Sequence, residues 1–372
     1  MPDYKSSGVD YDMLDKFKRE AQQAAQRTAN NVQRLGLATV ENIRGRSAFV
    51  LKNSSTFPIP FIGHVEEGLG TKNLVADRMS QLTKKSYYYQ IGQDTVAMIV
   101  NDMISAGILP ISVAMHLAVG NSNWFSKNQD NAESLISGWE HACNLSRCVW
   151  GPGETATLRD IIYPDAIELS GSAIGINEPN GALILEENIR EGDMIVFLES
   201  SGIHANGLTL VRDIVKKLSN GYLTKLPNGK TFGEEILTPT PIYVGVVEDC
   251  FNSGIKIHYA ENITGHGWRK LMRPLAPFNY IIEHLPSPHI IFDFLQEHGQ
   301  INDLEAYGTF NMGAGFALYV QSDDVTKVIS IAKENSIEAY RAGYVAKSRN
   351  AEKKVIICPK DLEYTQDTLK VR

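Results

Sequence analysis

The chain has 372 residues, enough for two hydrophobic cores of ordinary size. An apolar fraction of 43% and a charged fraction of 21% exclude a fibrous or disordered protein. The formal net charge is −7 and the basic residues are dispersed, so the chain lacks the basic surface of a protein that binds duplex nucleic acid. No nucleic acid partner is expected. Four cysteines without a CxxC pair predict reduced thiols, not disulfides or a zinc site. No signal-like or membrane-spanning apolar run is present, which predicts a cytoplasmic protein without a membrane partner.

The first half of the chain alternates short β-type runs with longer helical patterns. Residues 11–33 have few apolar positions, which predicts a weakly anchored helix or a mobile arm that could fold over a ligand. Apolar residues at Val96, Ile99 and Met103 predict a helix over 95–106. The β-type runs are residues 48–51, 61–65 and 173–175.

A second series of elements begins near residue 177, where turn residues at 178–181 could mark a domain boundary. We therefore predict domains at 1–176 and 177–372. The second series has predicted strands at 194–198, 279–282 and 316–320 and predicted helices at 208–218 and 241–253. The mixture of strands and helices in both halves predicts an α+β or α/β fold class.

The first candidate cluster is Glu66-Glu67-Gly68-Leu69-Gly70-Thr71-Lys72. Glycines let backbone N–H groups approach phosphate oxygens, lysine supplies a charge, and a carboxylate can hold Mg²⁺. The GxxxxGK[ST] spacing of a P-loop is absent. A glycine turn with a solvated charge pair is the competing interpretation of this cluster taken alone.

Two further clusters follow in the same half. Asn101-Asp102, on the predicted helix that contains Asp94, could complete a cation shell, or could be a helix end whose side chains satisfy backbone groups. Residues 151–157 are predicted to form a tight turn that brings Glu154 out of a buried strand. Glu154 could then be a metal ligand or a general base, or the segment could simply be a loop.

The second half offers glycine-rich loops after its predicted strands. Residues 200–207 supply imidazole, amide and hydroxyl groups near a helix N-terminus, which suits a phosphorylated substrate, although a lone histidine such as His204 is more often structural. Residues 262–267 and 309–316 could line a ligand cleft or be turns between packed strands. The basic run at 268–273 could contact phosphate, but its spacing favours an amphipathic helix with a solvated face.

The order of these motifs resembles that of the aminoimidazole-ribotide synthetases, also called phosphoribosylformylglycinamidine cyclo-ligases. The resemblance covers roughly residues 4–350. The sequences at 153–158 and 201–204 are more similar to those of archaeal members than to the common bacterial form. The matching segments, in order, are Tyr4-Lys5 with Gly8-Val9-Asp10, the turn at 68–72, Val96-Ala97-Met98 with Asn101-Asp102, Gly153-Glu154-Thr155-Ala156, the loop at 201–207, Leu237-Thr238-Pro239-Thr240 with Ile242-Tyr243, Ile263-Thr264-Gly265 and the segment 309–313.

This resemblance implies a two-domain synthetase fold. Its N-terminal α/β domain would bind ATP and pair its sheet with a dimer mate, and its C-terminal α+β domain would complete the cleft. The implied reaction uses ATP to activate the formyl oxygen of formylglycinamidine ribonucleotide, after which the amidine nitrogen closes the imidazole ring. The implied cofactors are ATP and Mg²⁺, and the implied assembly is a homodimer.

The resemblance also implies residue roles. His204 and Glu154 would be catalytic, and Glu67 and Asp102 would hold the metal. The implied ATP or phosphate ligands are Gly68, Gly70, Thr71, Lys72, Asp102, Gly153 and Thr155. The implied substrate ligands are Ser201, Asn206, Thr264, Gly265 and Asn311.

Four cleft positions depart from the family pattern. Glu67 stands in place of Asp, Pro152 in place of Gly, His266 in place of a third small glycine, and Gly308 in place of a common Arg. These departures leave room for a paralogous ATP-dependent enzyme, related to the selenophosphate and thiamine-phosphate synthesising kinases, that acts on another small substrate. They also leave room for an inactive nucleotide-binding homologue.

Overall fold

The computed structural model describes residues 11–39, 51–53, 61–177, 183–287, 289–349 and 351–369. The chain divides into two compact units, the first comprising Met1–Met103 with Ile108–Pro179 and the second Ile104–Gly107 with Asn180–Arg372. The motif at residues 4–10, the β-type run at 48–50 and the turn at 178–181 lie outside the described residues. None of the helices that the structure describes has the length and apolar character needed to span a membrane.

The first unit is built on a four-stranded sheet with the order β3-β6-β4-β5, in which only β4 and β5 are parallel. Its strands are β1 (Leu37–Thr39), β2 (Leu51–Asn53), β3 (Ile62–Gly68), β4 (Leu109–Val119), β5 (Val149–Thr157) and β6 (Ile167–Ile176). Its helices are α1 (Tyr11–Arg27), α2 (Lys72–Thr83), α3 (Tyr88–Ser105), α4 (Asn123–Lys127) and α5 (Gln129–Leu145), with a 3₁₀ helix at Ala29–Leu35. Strands β1 and β2 form a separate antiparallel pair.

Side chains alternate between the two faces of the four-stranded sheet. One face is covered by helices, and the other is exposed at Ile62 and Ile174, whereas Val149 and Ile176 on that second face are buried in a cluster with Val32 and Leu37. On the covered face, a Cβ atom placed on Gly171 would lie 3.0 Å from Ile99 Cδ1 of α3 and 3.2 Å from the Trp139 ring of α5. Glu66 and Glu67 are consecutive on β3 and therefore project to opposite faces, Glu66 exposed and Glu67 half-buried.

Helix α1 is firmly packed, which corrects the prediction of a weakly anchored helix or mobile arm. Phe17 and Ala24 are buried, and the Phe17 ring lies 5.1 Å from that of Phe125. Arg27 donates two hydrogen bonds of 2.7 Å to the Glu140 carboxylate. The helix buries a stripe of alanines, which a count of large apolar residues overlooks.

A buried carboxyl group joins α2 to α3. The hydroxyl of Tyr88, which is fully buried, donates to Asp77 Oδ1 at 2.5 Å. Burial raises the pKa of Asp77 from 3.8 to about 6, and the hydrogen bond from Tyr88 opposes that rise. Asp77 is therefore ionised in the folded protein only near and above neutral pH.

The second unit contains a seven-stranded sheet with the order β13-β12-β9-β11-β7-β10-β8, antiparallel except between β9 and β12. Its strands are β7 (Met194–Glu199), β8 (Tyr259–Asn262), β9 (Phe278–Ile282), β10 (Ala314–Val320), β11 (Ala339–Lys347), β12 (Lys354–Ile357) and β13 (Leu362–Thr365). Its α-helices are α6 (Leu208–Val215), α7 (Phe232–Ile236), α8 (Val244–Asn252), α9 (Ile290–Gly299), α10 (Asp303–Thr309) and α11 (Val325–Glu334). Short 3₁₀ helices lie at Glu186–Asn188, Gly221–Leu223, Gly267–Met272, Ser322–Asp324, Cys358–Lys360 and Gln366–Thr368.

Strand β10 decides which loops of the second unit meet. It is buried along its whole length and antiparallel to both β7 and β8, with Ala314 opposite Glu199 and Phe316 opposite Asn262. The start of β10 therefore adjoins the ends of β7 and β8. The loops after Glu199 and Asn262 and the loop before Ala314 consequently lie together at one end of the sheet.

The predicted α+β class is confirmed. The predicted helix at 95–106 is the C-terminal part of α3, and the predicted helices at 208–218 and 241–253 are α6 and α8, both shorter than expected. The predicted strands at 194–198, 279–282 and 316–320 are β7, β9 and β10.

Replacing Asp77 by Asn removes a folding cost that depends on pH. The folded-state pKa of about 6 exceeds the unfolded value of 3.8, so folding favours the protonated carboxyl. Stability is therefore highest below pH 3.8, where Asp77 is protonated in both states, and the cost of the ionised carboxylate grows as the pH rises through 6. We expect Asp77→Asn to raise the free energy of unfolding by up to about 3 kcal/mol at about pH 7.5, and by roughly 2 kcal/mol less at about pH 4.5, measured by urea unfolding. The exposed Asp165→Asn is the control, and an equal gain at both pH values would contradict the assignment.

Candidate active site

Three loops of the second unit assemble the residues that the sequence assigns to the substrate. They are residues 200–207 after β7, 263–267 after β8 and 310–313 before β10. A Cβ atom placed on Gly265 would lie 3.9 Å from Asn206 Oδ1. Ser201, Thr264 and Asn311 belong to the same loops, so the structure brings the predicted substrate ligands together.

Asn311 links these loops to one another. Its Nδ2 donates to Gly202 O at 2.8 Å, and its Oδ1 accepts from Gly313 N at 3.0 Å. Its backbone oxygen accepts from Trp268 Nε1 at 2.7 Å, and the residue is buried. A buried amide bonded at both ends positions the loops, and contact of Asn311 with the substrate stays a prediction.

His204 is part of the first of these loops, and its side chain is buried. Its backbone has a strained conformation. The residue is 3% exposed with a φ of 59°, a left-handed conformation that costs a residue with a Cβ atom about 1–2 kcal/mol. Ser201 N donates to its Nε2 at 3.4 Å, while the Ser201 hydroxyl donates to Pro239 O at 2.6 Å.

The loop at 200–207 leads directly into α6. Gly207 is the N-cap, with a φ of 72° and no side-chain cap, and a Cβ atom there would lie 2.4 Å from the Phe310 ring. Backbone N–H groups at the start of α6 therefore face the loop, where they favour an anionic group.

The basic run at 268–273 is not the amphipathic helix with a solvated face that its spacing favours. It forms a 3₁₀ helix in which Lys270 is 4% exposed, with its Nζ 3.2 Å from Glu261 Oε1. Burial first, and then the charges of Arg269, Lys270 and Arg273, lower the pKa of His266. The end of the loop at 263–267 is thus electropositive, and its histidine is neutral at physiological pH.

In the first unit, Lys72 and Asp94 form a closed ion pair. Lys72 Nζ lies 2.6 Å from Asp94 Oδ2, and both side chains are fully buried. Burial lowers the pKa of Lys72, while the Asp94 carboxylate opposes that change. The Lys72 side chain has no exposed surface, and direct contact of Lys72 with a phosphate stays a prediction.

The other residues of the first cluster surround the start of α2. Gly68 and Gly70 are exposed, Gly70 with a φ of 71°. Thr71 is the N-cap of α2 without a side-chain cap. The loop therefore offers backbone N–H groups at the N-terminus of α2, a helix of twelve residues. Such an arrangement binds anions.

Glu67 and Asp102 come from neighbouring elements of the same unit. Glu67 is opposite Gly171 on the covered side of the sheet, where Ile99 of α3 packs, and Asp102 lies one helical turn after Ile99. Within the described residues no group of three or more His, Cys, Asp or Glu is placed to hold a metal ion. One or two carboxylates suit Mg²⁺ that also binds substrate phosphates, so the donors fit a nucleotide-borne Mg²⁺ and not a resident metal.

Glu154 lies on a strand, not on the predicted tight turn. Residues 149–157 are β5, an edge strand that bulges between Trp150 and Gly153, and Pro152 is exposed within this bulge. Prolines are tolerated at bulges of edge strands because no ladder hydrogen bond is lost. Glu154 is exposed and Thr155 buried, so the two project to opposite faces.

Three polar residues that no sequence motif marks, His116, Glu168 and Ser170, lie together on neighbouring strands next to Glu154. Glu154 is opposite His116 of β4, and His116 is opposite Ser170 of β6. His116 Nδ1 lies 3.2 Å from Glu168 Oε2 and 3.3 Å from Ser170 Oγ. Alternation along β4 and β6 could have suggested their common face, but only the strand register places them next to Glu154.

Breaking the Lys72–Asp94 pair should destabilise the first unit. Lys72→Met leaves Asp94 buried without its cation, and we expect the free energy of unfolding to fall by about 3–5 kcal/mol. The double variant Lys72→Met/Asp94→Leu should recover most of that loss. Denaturant unfolding measures both, with the exposed Lys85→Met as the control. A double variant no more stable than the single one would contradict a closed pair.

His266 and Gly267 test the backbone of the loop at 263–267 in opposite directions. Both have positive φ, 70° and 52°, but only Gly267 is crowded, since a Cβ atom there would lie 2.2 Å from Tyr307 O. We expect His266→Gly to raise the free energy of unfolding by about 1 kcal/mol and Gly267→Ala to lower it by roughly 2 to 4 kcal/mol. Thermal unfolding of the two variants measures these changes. Changes of the same sign in the free energy of unfolding would contradict the backbone geometry described for this loop.

Known proteins are similar to this chain over most of its length. Family sequence models described as AIR synthase related protein match residues 68–177 (N-terminal domain) and 190–356 (C-terminal domain). A phosphoribosylformylglycinamidine cyclo-ligase of Methanocaldococcus jannaschii is 37% identical over 76% of this chain and 77% of its own length. One of Prochlorococcus marinus is 30% identical over 94% of this chain and 96% of its own.

Among solved structures, the fold is similar to that of hydrogenase maturation protein HypE in complex with ATP, with a TM-score of 0.59. The two chains are 14% identical, and the similarity covers 88% of this chain and 89% of that one. At this identity the likeness concerns the fold alone. The curated relatives and the two family models together establish that the chain belongs to the AIR synthase family, the phosphoribosylformylglycinamidine cyclo-ligases, which are ligases that form a C–N bond.

Proposed function

We propose that the protein is an ATP-dependent cyclo-ligase of de novo purine biosynthesis, which converts formylglycinamidine ribonucleotide to aminoimidazole ribonucleotide with release of ADP and phosphate. The observation that carries the proposal is the assembly of Ser201, Asn206, Thr264 and Gly265 with the buried His204 at one end of the second sheet, in a chain of this family. The relatives named above carry that activity in their names.

The first step is transfer of the γ-phosphoryl group of ATP to the formyl oxygen, which turns a poor leaving group into phosphate. Phosphoryl transfer is catalysed mainly by positioning and charge neutralisation. The N–H groups of the loop at 68–71 would hold phosphate oxygens, and Glu67 and Asp102 would hold Mg²⁺. When bound, Mg²⁺ neutralises charge on the phosphates. Gly153 and Thr155 remain proposed nucleotide ligands, whereas Lys72 would fix the start of α2 through Asp94.

The second step is attack of the amidine nitrogen on the activated carbon, with loss of phosphate and of one proton from the nitrogen. A general base near neutral pH is required, and we assign this role to His204 or Glu154. Nε2 of His204 accepts a hydrogen bond from Ser201 N, so His204 acts as the base through this nitrogen only if the substrate nitrogen replaces that donor. Glu154 offers an exposed carboxylate in the first unit.

We also propose a cytoplasmic homodimer, with residues 1–176 as the nucleotide-binding and dimerising domain and 177–372 as the substrate-binding domain. The exposed face of the four-stranded sheet supports this assignment. Ile62 is 71% exposed and Ile174 is 41% exposed, on adjacent strands of that face. Exposed apolar surface of this kind is a feature of protein interfaces.

The test follows ADP and aminoimidazole ribonucleotide together, with purified protein, ATP and Mg²⁺, with and without formylglycinamidine ribonucleotide. We expect both products in equal amounts and only when the substrate is present. ADP released with another small substrate would indicate a paralogous enzyme, and nucleotide binding without turnover would indicate an inactive homologue.

Variants of the two candidate bases complete this test. We expect the variant of the acting base, His204→Ala or Glu154→Gln, to lower kcat/KM by roughly 100-fold or more, the usual contribution of general acid–base catalysis. His298→Ala is the control, because His298 bonds only within α9, to Phe294 O. Near-normal turnover by both variants would remove these two residues from the mechanism.

A further inference from the structure

The ammonium group of Lys270 is held by three oxygen atoms of the protein. Its Nζ donates hydrogen bonds to Asn262 O and Thr264 Oγ1, both at 2.8 Å, and forms an ion pair with Glu261 Oε1 at 3.2 Å. A lysine ammonium has three donors and no acceptor. The Lys270 side chain is only 5% exposed and is engaged within the protein, although it lies in the basic run that the sequence marks as a possible phosphate contact.

Lys270 nevertheless determines what Thr264 can do. Because the ammonium cannot accept, Thr264 Oγ1 must be the acceptor of their hydrogen bond, and the hydroxyl proton points elsewhere. Among the residues that the structure describes, the Thr264 hydroxyl donates no hydrogen bond. Thr264 is only half-buried, at the end of the sheet where Gly265 and Asn206 meet. Its hydroxyl is thus a donor directed out of the protein.

A buried charge cluster holds Lys270 in place. The Glu261 carboxylate also pairs with Arg273 at 3.0 Å and accepts from the Tyr259 hydroxyl at 2.9 Å. Two cations against one carboxylate leave a net positive charge behind Thr264. A hydroxyl that accepts from a cation is also a stronger donor, since hydrogen bonds in a chain polarise one another. Both effects favour an anionic oxygen as the acceptor.

We propose that Lys270 is a positioning residue that directs the Thr264 hydroxyl proton to a phosphate oxygen of the bound ligand. This inference rests on the proposed function, which makes Thr264 a ligand of a phosphorylated substrate. A phosphate oxygen would accept a hydrogen bond from the Thr264 hydroxyl, and the positive charges of Lys270 and Arg273 would favour the anion there. The Lys270 ammonium itself would not contact the phosphate.

A double-mutant cycle on the full-length protein tests the proposal, with dissociation constant, KM and kcat for formylglycinamidine ribonucleotide as readouts. We expect Thr264→Val to weaken substrate binding roughly tenfold or more, with kcat changed much less. Thr264→Ser, which keeps the hydroxyl, should bind as the wild type does. Lys270→Met should weaken binding to a similar extent, and Thr264→Val/Lys270→Met no further than either single variant.

Additive effects in the double variant, or wild-type binding by Thr264→Val, would overturn the proposal. If Lys270→Met does not fold, Glu261→Gln/Lys270→Met takes its place, because it removes both members of the buried pair. A wild type that neither binds nor converts the ribonucleotide would refute the proposed function instead. The cycle is then repeated with inorganic phosphate, whose protection against thermal unfolding should be lost in Thr264→Val and kept in Thr264→Ser; equal protection of both would overturn the inference.

Discussion

The hydrogen bonds of Asn311 are the constraint on which the rest of the candidate site depends. A buried amide must find partners for both of its ends, and Asn311 finds them in the loop after β7 and in its own turn before β10. Its backbone oxygen accepts a hydrogen bond from the indole of Trp268, which follows the loop after β8. The positions of all three loops are therefore coupled. The same coupling can maintain the strained backbone of His204, because a strained residue persists only where its surroundings fix it.

The sequence was informative where a motif depends on local chain geometry. The glycine-rich loops at 200–207 and 262–267 follow buried strands, so their common position follows once those strands share a sheet. It was uninformative where burial decides a role. Nothing local distinguishes Lys72 from a solvated lysine, because its partner Asp94 is 22 residues away on another helix. His116 is likewise next to Glu154 only through the register of β4 and β5, which the local sequence does not determine. The glycines and Pro152 before Glu154 form a bulge within a strand and not a turn.

Two of the four departures from the family pattern have a local physical account. Pro152 lies in the bulge of an edge strand, a position that does not require its missing N–H. Gly308 lacks a side chain, but the Arg269 guanidinium lies against it and donates to Gly308 O at 2.6 Å. A cation is thus present at this position from another part of the chain. For Glu67 and His266 the described residues give no such local account.

Lys72 of the first glycine-rich motif and Lys270, which follows the loop at 263–267, are both buried and ion-paired, and neither presents its charge to solvent. A buried ammonium with a partner acts through what it fixes: Lys72 holds the start of α2 through Asp94, and Lys270 orients Thr264. Anionic groups at these loops would then meet backbone N–H groups and hydroxyls, which are fixed in direction, instead of flexible cations. Phosphoryl chemistry gains from such fixed dipoles, because they need not reorganise as charge moves. The placement of both lysines is therefore consistent with a ligase that acts on phosphorylated substrates.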